Sequence, residues 1–340
     1  MRKIRLSISG LGNVGRRLLE LMQAKRDLLR SRFDMELTLV GACDSSGGIL
    51  NPDGCNIAEL IALKSQKKRV ETLSGSSKTL GPEALASAAE ANIFVELTLT
   101  NLKDGQPGLN AIRAALARKS HVVTANKGPL VLAYAELSES ARSNGVQLLH
   151  SATVTGGLPT LNIGKRDLGT TLITKFEGVL NGTTNYILSR MTEGQSYEEA
   201  LKHAQNVGMA EADPTLDVDG WDAANKLVII ANAVLRRPTK LKDLTVEGIR
   251  GVTPQQLLDA SGQNKVIKLI ARAEQRGDDY VLSVRPTVLE ATHQLARVTA
   301  DMMGVMYHTD INGTIFAAIE EEDPYPTAAA VLRDIVEAAR

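Results

Sequence analysis

Asp222 and Lys226 lie four positions apart in "DGWDAANKLVIIANAVL", and beyond Lys226 run nine residues of which Asn232 is the one polar member. Read as a helix, the segment sets Asp222, Lys226, Ile229, Ile230 and Ala233 along one side, because positions three and four apart share a face. Desolvating an ion costs several kcal/mol, so a lysine at the edge of an apolar helix is expected to be paired or functional. The chemistry it suits is proton exchange with a substrate oxygen, since burial or a second cation makes an ammonium a readier acid. The plain alternative is a helix pair worth roughly 0.3 kcal/mol.

A second cluster is "GLGNVG", Gly10 to Gly15, which follows the alternating stretch "KIRLSISG" and opens "RRLLELMQAKRDLLRSR". The pattern G-x-G-x-x-G is weak alone, but between a strand and a helix it is the phosphate turn of a dinucleotide fold. Gly10 permits the tight turn, Gly12 the close approach of a pyrophosphate, and Gly15 the packing of the helix; Leu11, Asn13 and Val14 complete the candidate loop. The helix N-terminus adds N–H donors and a positive dipole end. "ELTLVGACD" reads as the next strand, ending in Asp44. An acid there accepts from the adenosine ribose and disfavours the extra phosphate of NADP, which leans the cofactor towards NAD; the alternative is a cap for the turn "SSGG".

Thr98, Thr100 and the turn "TANKGP" fall at the carboxyl ends of two further strands, where open α/β sheets bind ligands. Lys127 in that turn is expected beside a nicotinamide or its substrate, the alternative being a surface lysine. The acid-rich run "AEADPTLDVDG", broken by Pro214, leads straight into the helix of Asp222 and Lys226. Its spacing is not that of a calcium loop, and no metal site is expected.

These residues must be held by an alternation of strands and helices. "NIFVELT", "GLNAIRAALARK", "HVVTANK", "PLVLAYAELSESARSNG" and "VQLLHSA" continue the βαβα rhythm of a doubly wound parallel sheet of Rossmann type. After "TGGLPTLN" the pattern changes. "LITKFEGVLNG" reads as a strand of an antiparallel or mixed sheet, "TTNYILSRM" and "SYEEALKHAQNVG" as helices, the latter closed by Gly208. Strand signals resume near "VIKLIARAEQ", "DDYVLSVRPTVL", "VMYHTD" and "GTIFAAIEE", and "PTAAAVLRDIVEAA" is an amphipathic helix. The expected division is a dinucleotide-binding domain of residues 1–135 plus 306–340, and an α+β substrate-binding and dimerisation domain of residues 136–305.

Composition agrees with an enzyme of this build. The 340 residues suffice for two cores, aromatics are few, and 39 basic residues balance 39 acidic ones. A nucleic-acid partner has no electrostatic support, and "KSQKKR" reads as a solvated face. Cys43 and Cys55 form neither a disulfide framework nor a metal site and read as buried, reduced thiols. The apolar run at the N-terminus is too short for a signal peptide, and none approaches the ~20 residues that span a bilayer, so a cytoplasmic protein is expected.

The set "GLGNVG", "TANK", "VTGGLPT", "NGTTNYI", "GMAEADPTLDVDGWDAANKL" and "PTAAAVLRDI" resembles homoserine dehydrogenase over nearly the whole chain, in order. The resemblance implies a homodimer that interconverts L-homoserine and L-aspartate 4-semialdehyde with NAD(P), in the pathway to threonine and methionine. It further implies that Lys226 is the acid/base group, paired with Asp222, and that Lys127 lies beside nicotinamide and substrate. Glu211, Asp217, Thr183 and, with it, Gly182 line the amino-acid pocket in the same reading.

The chain departs from the family pattern at three places. Ser151 stands in "HSATVTGGLP" where the family commonly has Glu, which leaves open whether a monovalent cation binds. "EEEDPYP" (Glu320 to Pro326) replaces a glycine-rich "GPGAG" segment, which leaves open the cofactor closure and the substrate. The chain ends after the last helix, so the ACT domain of many relatives, and feedback by threonine through it, is not expected. Two other readings stand beside this one: a related dehydrogenase of another small amino or hydroxy acid, and a non-catalytic NAD(P)-binding sensor.

Overall fold

Strand β1 (Arg2–Ser9) turns Ile4, Leu6 and Ile8 into the core with the period of two of a pleated strand. Ser7 and Ser9 on its other face are buried too, so the strand is covered on both sides, as parallel strands are. The computed structural model describes residues 1–321 and 323–340. The chain divides into two units, Met1–Gly157 with Asp323–Arg340, and Leu158–Glu322.

The first unit holds β1, β2 (Met35–Asp44), β3 (Gly47–Leu50), β4 (Ile93–Glu96), β5 (His121–Thr124) and β6 (Leu148–Leu149), in the order β3-β2-β1-β4-β5-β6. All neighbours are parallel except β3, which returns antiparallel along β2. The order reverses direction between β1 and β4, and a crevice outside the carboxyl ends of such a pair is where ligands of this fold bind. The expected first helix bends at Lys25 into Asn13–Ala24 and Arg26–Phe33. The bend keeps its hydrogen bonds, Lys25 N–H to Leu21 and Leu29 N–H to the Lys25 carbonyl. The helix Tyr325–Ala338 adds Ala328, Val331 and Ile335 to the core formed by Leu6, Ile8, Leu18 and Leu19.

The second unit is a six-stranded sheet built from β7 (Ile173–Val179), β8 (Thr245–Val246), β9 (Lys265–Arg276), β10 (Asp279–Glu290), β11 (Met303–Thr309) and β12 (Thr314–Ile319). Its order is β12-β11-β7-β9-β10-β8, antiparallel throughout except for the parallel pair β10 and β8. Phe176 and Tyr307, facing each other across β7 and β11, pack at 5.1 Å in its interior. The helix Trp221–Ala233 buries Leu227, Val228, Ile229 and Ile230, the apolar run that follows Lys226.

The units differ from the division expected from sequence. Residues 136–157 stay with the first sheet through β6, and β11 and β12 pair into the second, because Gly304 to Thr309 align with β7. "SSGG", read as a turn, is turn and strand: Gly48 and Gly47 align with Cys43 and Asp44. Cys43 is buried and Cys55 half-buried, both free, a correction to the expectation that both are buried. Burial pushes the Cys43 thiol up to about 12 and the Cys55 thiol to about 11, so neither is a ready nucleophile. Among the described residues no helix is long and apolar enough to cross a membrane, and no group of three His, Cys, Asp or Glu could hold a metal.

Candidate active site

The glycine turn closes β1 and leads into the helix Asn13–Ala24. Gly10 has φ +93, and a Cβ there would stand 2.4 Å from the Leu97 carbonyl oxygen, so only glycine lets the turn lie against the end of β4. A Cβ on Gly15 would strike the Gly10 carbonyl at 2.1 Å, whereas one on Gly12 would meet nothing within 4 Å. Gly12 therefore faces open space at the N-terminus of a helix that no side chain caps. Leu11 is buried beneath the turn, Asn13 exposed and Val14 half-buried. N–H donors, a positive dipole end and room for a phosphate are the requirements of a dinucleotide site, and the residues present fit one.

Asp44 closes β2 with its side chain 9% exposed. Oδ1 accepts from the Ser46 N–H at 2.9 Å and hydroxyl at 2.6 Å; Oδ2 accepts from Lys64 Nζ at 2.7 Å and the Val70 N–H at 3.1 Å. Burial pushes its carboxyl up, and the Lys64, Ser46 and Val70 donors outweigh that and hold it below the usual range. The carboxylate thus binds its own turn, and its charge is met by a lysine.

At the ends of β4 and β5, Thr98 donates its N–H to Glu96 Oε1 at 2.9 Å. Asn126 Oδ1 accepts from the Gly128 N–H at 3.0 Å and caps the helix Lys127–Ser143. Lys127 is the first residue of that helix, where the dipole opposes a cation.

In the second unit Lys226 Nζ stands 2.8 Å from Asp222 Oδ2 and donates to the Leu180 carbonyl at 2.6 Å. Both side chains are 12% exposed, so the pair is largely removed from water. Asn181 Nδ2 donates to Asp217 Oδ1 at 2.7 Å and to Asp222 Oδ2 at 2.9 Å, while Asn181 Oδ1 caps the helix Gly182–Thr192 through the Thr184 N–H. Lys226, Asp222, Asp217 and Asn181 are thus one polar cluster at the ends of two helices.

The other expected pocket residues are placed less tightly. Thr183 donates its hydroxyl to the Met209 carbonyl at 2.8 Å, and a Cβ on Gly182 would come 3.1 Å from the Asp301 carbonyl. The Glu211 side chain is exposed, and only its carbonyl is held, by Gln205.

A protein-family model described as homoserine dehydrogenase matches residues 159–336, and one described as its NAD-binding domain matches residues 10–151. Homoserine dehydrogenase of Methanocaldococcus jannaschii is 35% identical over 330 residues, 97% of this chain and 96% of that protein. The chain belongs to the homoserine dehydrogenase family. It is an NAD(P)-dependent oxidoreductase that interconverts L-homoserine and L-aspartate 4-semialdehyde, a step towards threonine and methionine. Among homoserine dehydrogenases, an NAD(+)-dependent one from Pseudomonas canavaninivorans is 34% identical over 99% of this chain and 96% of its own. The structure of a hyperthermophilic archaeal member in complex with NADPH aligns with TM-score 0.86 at 25% identity, covering 99% of this chain and 98% of that one.

Sequence reasoning missed Asn181, Asn126 and Glu96. An Asn between a strand and a helix is a helix-cap signal, and both asparagines carry it; their second partners lie too far along the chain to be read from spacing.

Ser151 and part of "EEEDPYP" are also placed. Ser151 gives its N–H to Asp334 Oδ2 at 2.8 Å and its hydroxyl to Asp334 Oδ1 at 2.6 Å. Within "EEEDPYP", Glu322 lies outside the described residues. Tyr325 donates its hydroxyl to Glu20 Oε2 at 2.6 Å and lies under the Arg17 guanidinium at 4.4 Å, so this residue is anchored on the helix that follows the glycine turn.

Proposed function

We propose that Lys226 is the acid/base group of homoserine dehydrogenase in this chain, held by Asp222. The observation that carries the reading is the ammonium fixed by Asp222 Oδ2 at 2.8 Å and the Leu180 carbonyl at 2.6 Å. Two of its three donors are so used, and the third is left for a substrate oxygen. When bound, the nicotinamide exchanges a hydride with the carbinol carbon. In the reducing direction Lys226 donates a proton to the oxygen that becomes the hydroxyl; in the oxidising direction it takes that proton back. Little water around the pair strengthens the stabilisation of an oxyanion.

Asp217 and Glu211 attract the substrate ammonium, and donors near Gly182 and Thr183 its carboxylate. Gly10, Leu11, Gly12, Asn13, Val14 and Gly15 hold the pyrophosphate, Asp44 serves the adenosine ribose, and Thr98 and Lys127 the nicotinamide end. The reading includes a lean to NAD, which rests on Asp44, a homodimer, which rests on the family resemblance, and a cytoplasmic location; sedimentation measures the dimer. The deciding experiment is Lys226→Ala, expected to lower kcat about 1,000-fold with cofactor affinity little changed. Near-wild-type turnover would refute the assignment.

A further inference from the structure

Glu96 ends β4 with no exposed surface, at the sheet edge that carries Thr98. Oε1 accepts from the Thr98 N–H at 2.9 Å and from the Thr98 hydroxyl; Oε2 accepts from the Thr124 hydroxyl at 3.2 Å. Asn126 joins both threonines, since its N–H donates to Thr124 Oγ1 at 3.0 Å and its amide to Thr98 Oγ1 at 3.2 Å. The same amide, through Oδ1, caps the helix that begins at Lys127. The pocket has no slack: a Cβ on Gly108 would stand 2.8 Å from Asn126 Nδ2 and 3.0 Å from Glu96 Cδ.

Burying a carboxyl group with no exposed surface is costly unless hydrogen bonds are supplied to it, as they are here. What it does is gather, at one point, the residues that follow β4 and β5. We propose that Glu96 is a positioning residue for the nicotinamide end of the cofactor site, fixing Thr98 directly and the Lys127 turn through Asn126. The inference rests on the reading that Thr98 and Lys127 serve that end. Burial pushes the Glu96 carboxyl above the usual carboxylate range, while the hydrogen bonds from Thr98, Thr124 and Asn126 pull it back.

In the same reading the adenosine ribose is served by Asp44 at the end of β2, so the two ends of the cofactor separate in an assay. Wild-type enzyme should bind NADH more tightly than ADP-ribose, which lacks the nicotinamide. Glu96→Ala is expected to bind ADP-ribose within threefold of wild type, to lose the extra affinity for NADH, and to lower kcat at least 30-fold. Glu96→Gln keeps Oε1 as acceptor and can donate to Thr124 Oγ1, and should recover most of both. If Glu96→Ala does not fold, Glu96→Asp, which withdraws the carboxyl by one methylene, is measured against the same expectations. Turnover and NADH preference within threefold of wild type in the folded variant would overturn the proposal. Lys127→Ala in parallel separates the two readings: wild-type behaviour there would refute the assignment of Lys127, not the role of Glu96 towards Thr98.

Discussion

Asn181 donates its amide to Oδ2 of Asp222 at 2.9 Å, the same oxygen that stands 2.8 Å from the Lys226 ammonium. A neutral donor and a cation thus share one carboxylate oxygen, and the donor also reaches Asp217. The amide N–H groups offset part of the repulsion between the two carboxylates.

Asn181→Asp therefore places a third carboxylate in the cluster. The expected result is a fall in kcat/KM for homoserine of about 100-fold, or about 2.7 kcal/mol, with the affinity for ADP-ribose unchanged. Asn181→Ala, which removes the donors and the cap together, should also lower the melting temperature, since loss of a cap costs about 1 kcal/mol. Steady-state kinetics with a thermal melt of each variant checks both, and an unaltered kcat/KM in Asn181→Asp would show that the amide does not matter to the site.

If Asp44 serves the adenosine ribose, as proposed above, Lys64 should set how it treats the two cofactors. With its carboxylate met by Lys64 Nζ at 2.7 Å, Asp44 repels a 2′-phosphate less than a bare acid at the end of β2 does. Lys64→Met leaves the charge uncompensated, and the ratio of kcat/KM for NADP to that for NAD should fall about tenfold, roughly 1.4 kcal/mol of differential repulsion. Initial rates with the two cofactors at constant ionic strength make the comparison. A ratio that stays unchanged or rises would show that Asp44 and Lys64 do not face the ribose 2′ position.

Much of this was legible in the chain, and what was not has physical causes. The glycine turn declared itself because a strand, three glycines and a helix occur in a fixed order, and the observed Gly10 and Gly15 contacts are the ones that order requires. The pair Asp222 and Lys226 was legible because four residues is one helical turn. Strand β3 was not, since four residues beginning with two glycines carry no strand propensity and form by pairing with β2. The membership of β11 was equally hidden: its partners on β7 lie more than a hundred residues away, and local pattern does not say which sheet a strand joins. The bonds of Glu96 to Thr124 and of Asn181 to Asp217 and Asp222 escaped for the same reason, as their partners lie 28 to 41 residues away.

Glu177 gives the second unit an acid limit. Its side chain is 1% exposed and faces Lys175 Nζ at 2.8 Å, Arg272 Nη2 at 2.6 Å, His308 Nε2 at 3.1 Å and His293 Nε2 at 3.7 Å. Burial pushes its carboxyl up, but Lys175 and Arg272 outweigh burial and leave it below the ordinary value of 4.5. A depressed folded-state value means that the unfolded chain takes up the proton first, so the stabilisation is complete above about 4.5 and is lost as pH falls through the folded value. Thermal melts from pH 7 down to 3 should show the melting temperature dropping below about pH 4.5. Glu177→Gln should melt lower at pH 7 and show a shallower decline, and an equal slope in wild type and variant would exclude Glu177 as its source.

Ser151 and Asp334 decide what the family's usual glutamate could do at this position. Asp334, 3% exposed, already occupies the site with both oxygens bound to Ser151, and Arg333 donates to Ser151 Oγ at 3.1 Å. Ser151→Ala removes the hydroxyl bond to a buried carboxylate, so a loss of about 2 kcal/mol in unfolding free energy is expected. Ser151→Glu is expected to cost more, because it sets a second carboxylate against Asp334 in a place with little water, where like charges repel strongly. Adding sodium or potassium separates two consequences. If Ser151→Glu regains stability on addition of either ion, the two carboxylates form a cation site that the native serine has given up. If neither ion restores it, the loss is repulsion and crowding alone, and the native Ser151–Asp334 pair is a structural link within the first unit.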